Sequence, residues 1–191
     1  WMVDAPKNLG QEWYVASRPE GMRYLVVSGG GKTTAYSEHG NQRAVFYSRL
    51  PGGHPETSHF SDMSVCDCVR HVDTDGRSKL FVIDVMVWGG HSLYEADFEF
   101  RHYWLSEKLQ EPSLHHSLHE RGGKASSKGG FPEGGGKGTL PEVELTMLEW
   151  SKATAENIWE AYTGSRGYVR DGLLFAHKNC AYLPGEPSPL F

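Results

Sequence analysis

Four residues, Arg18-Pro19-Glu20-Gly21, join the strand-like runs Trp13-Tyr14-Val15-Ala16 and Tyr24-Leu25-Val26-Val27. The pattern is a strand, a tight turn and a second strand. A lysine opening such a turn could attack a nucleotide α-phosphate and form a covalent phosphoramidate. Arginine stays protonated near neutrality, is a very poor nucleophile and binds phosphate well. Arg18 is therefore a candidate phosphate ligand and not a nucleophile. Asp84, inside the apolar run at 79–88, is either a metal-site remnant or the partner of a buried hydrogen-bond donor. The second reading is preferred, because without a nucleophile no metal is needed. Ser28-Gly29-Gly30-Gly31-Lys32-Thr33 imitates a P-loop, but that motif needs a glycine where Val26 stands, so it is a turn. His115, His116 and His119 have ligand-like spacing at the edge of a low-complexity stretch and carry no metal assignment. No catalytic residue, metal or cofactor is expected.

The elements that must hold these residues are short and mostly extended. Runs at 11–18, 21–28, 32–37 and 43–48 are aromatic and β-branched and are punctuated by Gly-rich turns, which predicts an antiparallel meander. Segments 63–72 and 79–88 flank Asp73-Thr74-Asp75-Gly76, a hairpin signal, and the second is too apolar for a sheet edge. Helical spacing appears at 95–109, with Phe98, Tyr103 and Leu105 as its apolar positions. From about 110 to 139 the chain turns to Gly, Ser, Lys and His and is read as a flexible insertion. Strand-like residues resume at 142–148. A helix at about 152–163, with Ala153, Ile158, Trp159 and Tyr162 as its apolar positions, precedes a last strand, Asp171-Gly172-Leu173-Leu174-Phe175-Ala176-His177-Lys178. The fold class is α+β, antiparallel sheets flanked by a few helices.

With 191 residues the chain forms one domain, 1–191, around a real core. The six Trp, nine Tyr and eight Phe furnish both core and stacking surfaces. No apolar run approaches the roughly 20 residues of a membrane span. No signal peptide opens the chain, so no membrane partner is expected. Cys66 and Cys68, two apart in a strand, share a face and are poorly placed to bridge. They read as core residues of a protein from a reducing compartment, cytosol or nucleus. A protein tracking a long phosphate backbone shows a basic stripe, whereas net charge here is −5. If nucleic acid is the ligand, a small part of it, a terminus or a modified nucleotide, is held in a local pocket.

The order of three pieces resembles RNA capping enzymes and nucleic-acid ligases: Arg18-Pro19-Glu20-Gly21 at the place of Lys-x-Asp-Gly, then Phe81-Val82-Ile83-Asp84-Val85, then Asp171-Gly172-Leu173-Leu174-Phe175 with Lys178. A closer resemblance, over most of the chain outside the low-complexity stretch, is to the snurportin family of cap-binding adaptors. It rests on Trp1-Met2-Val3-Asp4-Ala5-Pro6, Leu9-Gly10-Gln11-Glu12-Trp13, Gly21-Met22-Arg23, Leu50-Pro51-Gly52-Gly53, Val82-Ile83-Asp84-Val85-Met86-Val87-Trp88, Gly90-His91 and Phe100-Arg101-His102-Tyr103-Trp104, with the Asp171 strand.

That resemblance implies an mRNA guanylyltransferase-like nucleotidyltransferase fold used without catalysis. The implied function is to bind the 2,2,7-trimethylguanosine cap of spliceosomal small nuclear RNA for nuclear import; an active guanylyltransferase or ligase is the alternative, and a purely protein-binding module a third. The implied cap residues are Trp1, Arg18, Gly21, Met22, Arg23 and Lys178, with Arg23 the foremost phosphate contact. A family Trp that stacks on the base falls just past Phe191. Glu38 stands where a family lysine holds the cap, so that contact is lost or a cation such as Lys32 substitutes. The implied partners are capped snRNA or snRNP and, through an N-terminal segment not in this sequence, importin beta, in a protein shuttling between cytoplasm and nucleus. A 7-methylated guanine is cationic and favours an electron-rich aromatic face. Dimethylation of its exocyclic amine removes both N–H donors, so apolar surface suits that edge better than a carboxylate.

Overall fold

The computed structural model describes residues 4–56, 62–74, 76–110 and 142–183. Trp1, the three histidines, Phe191 and the low-complexity stretch, except Gln110, lie outside them. Among the described residues two sheets form. The smaller places β1 (Trp13–Pro19) between β10 (Arg170–His177) and the two-residue β9 (Ser151–Lys152). The larger runs β4 (Gln42–Phe46), β3 (Lys32–Tyr36), β2 (Met22–Gly29), β5 (Met63–Val72), β6 (Ser78–Trp88) and β7 (His91–Ser92), with β8 (Leu145–Met147) parallel to β6. Three helices accompany them: α1 (Leu9–Glu12), α2 (Phe98–Gln110) and α3 (Ala155–Thr163).

Burial along the strands explains their places. In β2 the buried residues are Tyr24, Val26 and Ser28, while Arg23, Leu25 and Val27 are less covered; this is the period-two signature of one core face and one open face. From Leu80 to Trp88, β6 is buried on both faces, as its unbroken apolar run predicts. One core contains Tyr24, Val26, Phe46, Cys66, Cys68, Leu80, Val82 and Leu105 of α2. Each such side chain contributes roughly 1.5–3 kcal/mol by leaving water. A second core joins the sheets, with Val69, Phe81 and Ile83 of the larger packed on Ala16, Leu174 and Ala176 of the smaller. Cys66 and Cys68 are free and buried. Burial pushes both thiols well up, so neither supplies a thiolate.

Several sequence expectations need adjusting. Residues 11 and 12 belong to α1. The last helix begins at Ala155 because Thr154 caps it, its Oγ1 accepting from Asn157 N at 3.2 Å. Its aromatic residues do not form the packed stripe: Ile158 and Ala161 face the core, whereas Trp159 and Tyr162 are 67% and 60% exposed. In α2, Phe98 and Leu105 are buried as expected, but Tyr103 is exposed and Arg101 is wholly enclosed. No helix among the described residues is long and apolar enough to cross a membrane.

Candidate functional site

The turn between β1 and β2 is clamped from both sides. Glu20 N donates to Val169 O at 2.7 Å, and His71 Nδ1 of β5 lies 2.7 Å from Glu20 O. Gly21 has φ +155°, and a Cβ there would meet Arg70 O at 1.9 Å. The turn can only be this close to β5 with glycine. Gly21→Ala is expected to lose on the order of 1–3 kcal/mol of stability, read from the urea midpoint. An unchanged midpoint would mean that the Arg70 backbone gives way freely. Arg18, where register shifts against β10, forms an ion pair with Asp171, and its Nη2 lies 3.5 Å from Gly21 O.

Beyond the turn, the open face of the larger sheet is built by register. Leu25 lies opposite Tyr36 on one side and Asp67 on the other; Val27 lies opposite Thr34 and Val65. Directly paired residues share a face, so these form two rows on one surface. Val65, Met86 and Val87 pack with Val27, Tyr94 and Tyr182. The Tyr94 and Tyr182 rings meet edge to face at 6.2 Å, and Tyr182 N donates to Tyr94 O at 3.1 Å. Leu25 remains 40% exposed at the centre. The result is an apolar floor, an aromatic rim and, at one corner, Arg23. Such a surface can hold a planar base by stacking and a phosphate by its cation.

Two carboxylates stand directly opposite each other in this region, Asp67 on β5 and Asp84 on β6, with register shifts on both sides of Asp67. Bulges re-aim side chains, and each acid has its own arginine. Arg23 Nε donates to Asp67 Oδ1 at 2.8 Å, and Arg23 Nη2 bonds Oδ2. Arg101 Nε and Nη2 donate to Asp84 Oδ1 and Oδ2 at 2.9 and 2.8 Å. Burial raises the Asp84 carboxyl and Arg101 pulls it back, leaving it above its ordinary value. Burial would lower the Arg23 guanidinium, but Asp67 outweighs it, so the group is held firmly protonated. Tyr182, whose Oη lies 3.5 Å from Asp67 Oδ2, is pushed up to about 12, first by burial and then by that carboxylate. It stays a hydrogen-bond donor.

The residues implicated by sequence divide in space. Arg18, Gly21, Met22 and Arg23 lie together along the turn and the start of β2, with Met22 57% exposed. Lys178 stands apart, beyond the opposite end of the β1–β10 pair, where His177 faces Trp13 and not Arg18. Those ends are five residue steps apart along β1, about 17 Å. Its Nζ is 3.0 Å from Glu12, so it fastens α1 to β10. Glu38 is exposed beside His39. Lys32 pairs with Gly29 at the far end of β3 from Tyr36, roughly 13 Å along the strand, and is badly placed to substitute near Glu38. Asp84 pairs with a buried donor, as preferred above. Asp67, Tyr94 and Tyr182 were not identified from sequence; a carboxylate between two core cysteines was the available signal for the first.

Solved structures share this architecture. The ligase domain of M. tuberculosis LigD aligns with TM-score 0.57 and 13% identity over 91% of this chain and 50% of that one. A mycobacterial DNA ligase D complexed with ATP and MES aligns with TM-score 0.57 and 14% identity over 91% and 51%. The chain thus spans about half the length of those ligases and has a nucleotidyltransferase ligase fold of mostly antiparallel sheets with a few helices. Residues 1–122 match the snurportin1 m3G cap-binding domain. With most of its length inside that match, the chain belongs to the snurportin m3G cap-binding domain family.

Proposed function

We propose that this domain holds the 2,2,7-trimethylguanosine cap of spliceosomal snRNA without chemistry, within a nuclear import adaptor that shuttles between cytoplasm and nucleus and engages importin beta through another segment of the protein. The observation that carries the non-catalytic part is the ion pair of Arg18 with Asp171. These residues occupy the positions of the lysine nucleophile and of the acid opening the last motif strand in the capping-enzyme and ligase pattern. Here they neutralise each other, and an arginine does not form the phosphoramidate. The open face supports cap binding: a cationic base gains from the Tyr94–Tyr182 rim, its apolar edge from Leu25 and Val27, and its phosphates from Arg23. Trp1, outside the described residues, is assigned to the dimethylated amine.

Titration with trimethylated and monomethylated cap dinucleotides tests this reading, with tighter binding of the former expected. Trp1→Ala should narrow that preference; unchanged selectivity would make Trp1 a hydrophobic anchor. The ligase fold favours one competing reading, an active nucleotidyltransferase. Incubation with radiolabelled GTP or ATP and a divalent metal, followed by denaturing electrophoresis, should leave the protein unlabelled. A stable labelled band would overturn the non-catalytic reading.

A further inference from the structure

The largest exposed aromatic side chains on α3 are not explained by the cap face. Trp159 and Tyr162, three residues apart, lie on neighbouring positions of one helix surface and are 67% and 60% exposed. Tyr162 lines a cleft with Thr163, Arg170, Asp171 and Gly172. The Arg170 guanidinium lies 6.0 Å from the Tyr162 ring centroid and is fixed by donating to Gly164 O at 2.6 Å. The floor is open: a Cβ at Gly172 would meet nothing within 4 Å. Asp171 ties this cleft to the candidate site, because it pairs with Arg18, whose other nitrogen reaches Gly21 two residues before Arg23.

We propose that the cleft between α3 and β10 is a second nucleic-acid subsite for the single-stranded nucleotides that follow the cap. The proposal rests on the cap reading. Bases stack on Tyr162 and Trp159, their phosphates meet Arg170, and the Asp171 carboxylate accepts from a base edge. Single strands are held by this combination of exposed rings, guanidinium groups and a backbone-level floor, with little regard to sequence. A protein-docking patch has a continuous apolar centre depleted of charge; here an arginine and an aspartate line the cleft beside Tyr162. The chain's net charge of −5 does not oppose this, because the cation is supplied locally.

The test compares a cap dinucleotide with a capped single-stranded hexanucleotide, using the full chain and the double variant Trp159→Ala/Tyr162→Ala. Both substitutions lie on exposed helix positions, and a thermal melt checks that the fold is kept. The hexanucleotide should bind the unaltered protein on the order of tenfold more tightly than the dinucleotide, and the double variant should lose that advantage with its dinucleotide affinity unchanged. Equal binding of the two ligands by the unaltered protein overturns the proposal. So does an advantage that survives in the double variant, which would leave the exposed rings to a protein partner. If neither capped ligand binds, the cap reading fails, and an uncapped hexanucleotide decides the cleft: binding lost in the double variant sustains a single-strand site, and no binding ends it.

Discussion

Replacing Arg101 with methionine should remove about 3–5 kcal/mol of stability, the largest effect expected of any single substitution here. The pair it breaks is enclosed, with Arg101 0% and Asp84 1% exposed at their side chains. Arg101 also donates to the backbone oxygens of Ala96 and Cys180, so one side chain ties β6 to the loop before α2 and to the chain after β10. Methionine fills similar volume, but it leaves Asp84 without its counter-charge and two carbonyls short of a donor. Urea unfolding at neutral pH should show a midpoint shift without a change in slope. A loss below about 1 kcal/mol would mean that water replaces the arginine, and the pair would then be a minor contributor.

The pH dependence of that deficit has a definite sign. Burial already raises the Asp84 carboxyl in the folded protein, and Arg101 provides the main opposing pull. Without Arg101 the folded value rises further above the unfolded one. A group raised in this way stabilises below its unfolded pKa and loses that contribution as pH rises through the folded value. The gap between variant and unaltered protein should therefore narrow as pH falls from neutrality towards the carboxylate range. A gap that widens would indicate that Asp84 is not the group exposed by the substitution.

Boundaries were legible because alternation and glycine turns carry local information: β2, β3, β4, β5 and β6 lie within a residue or two of the sequence boundaries. The expected meander, however, holds only for β2–β3–β4, since β1 pairs with β10 and β9 in the other sheet. Elements of two to four residues, α1, β7 and β9, have too little pattern to announce themselves. The buried polar groups were harder. Arg101 reads as a surface charge on an amphipathic helix, and only its pairing across space with Asp84 makes burial affordable. The same blindness misplaced half of α3: Trp159 and Tyr162 count as apolar in any tally, yet Ala161 joins the expected Ile158 in packing. The turn was visible as a motif, whereas the tie between Arg18 and Asp171 spans 153 positions. Family resemblance supplied Asp171 as a motif position, but not its pairing with Arg18. Nor did Arg23 alone predict Asp67, since the two meet only through the long-range pairing and register of β2 with β5.

Arg23→Ala should weaken cap binding by about 1.5–3 kcal/mol, some tenfold to a hundredfold, through loss of a charge-assisted contact to phosphate. The term is electrostatic and involves a side chain still 37% exposed, so the loss should shrink as salt rises. The same substitution strands Asp67, whose side chain is only 4% exposed and whose other described contact is the distant Tyr182 hydroxyl. Some stability, on the order of 1–3 kcal/mol, should go with it. Binding and folding losses are separated by the double variant Arg23→Ala/Asp67→Asn, which removes both charges. Its unfolding midpoint should recover most of the lost stability, while cap affinity stays as weak as in the single variant. If affinity recovers together with stability, the single variant failed because the sheet was disturbed, and Arg23 is only the counter-ion of Asp67. If the single variant binds cap normally at low salt, the phosphate lies elsewhere on the open face, and Arg18 at the neighbouring turn is the next cation to replace.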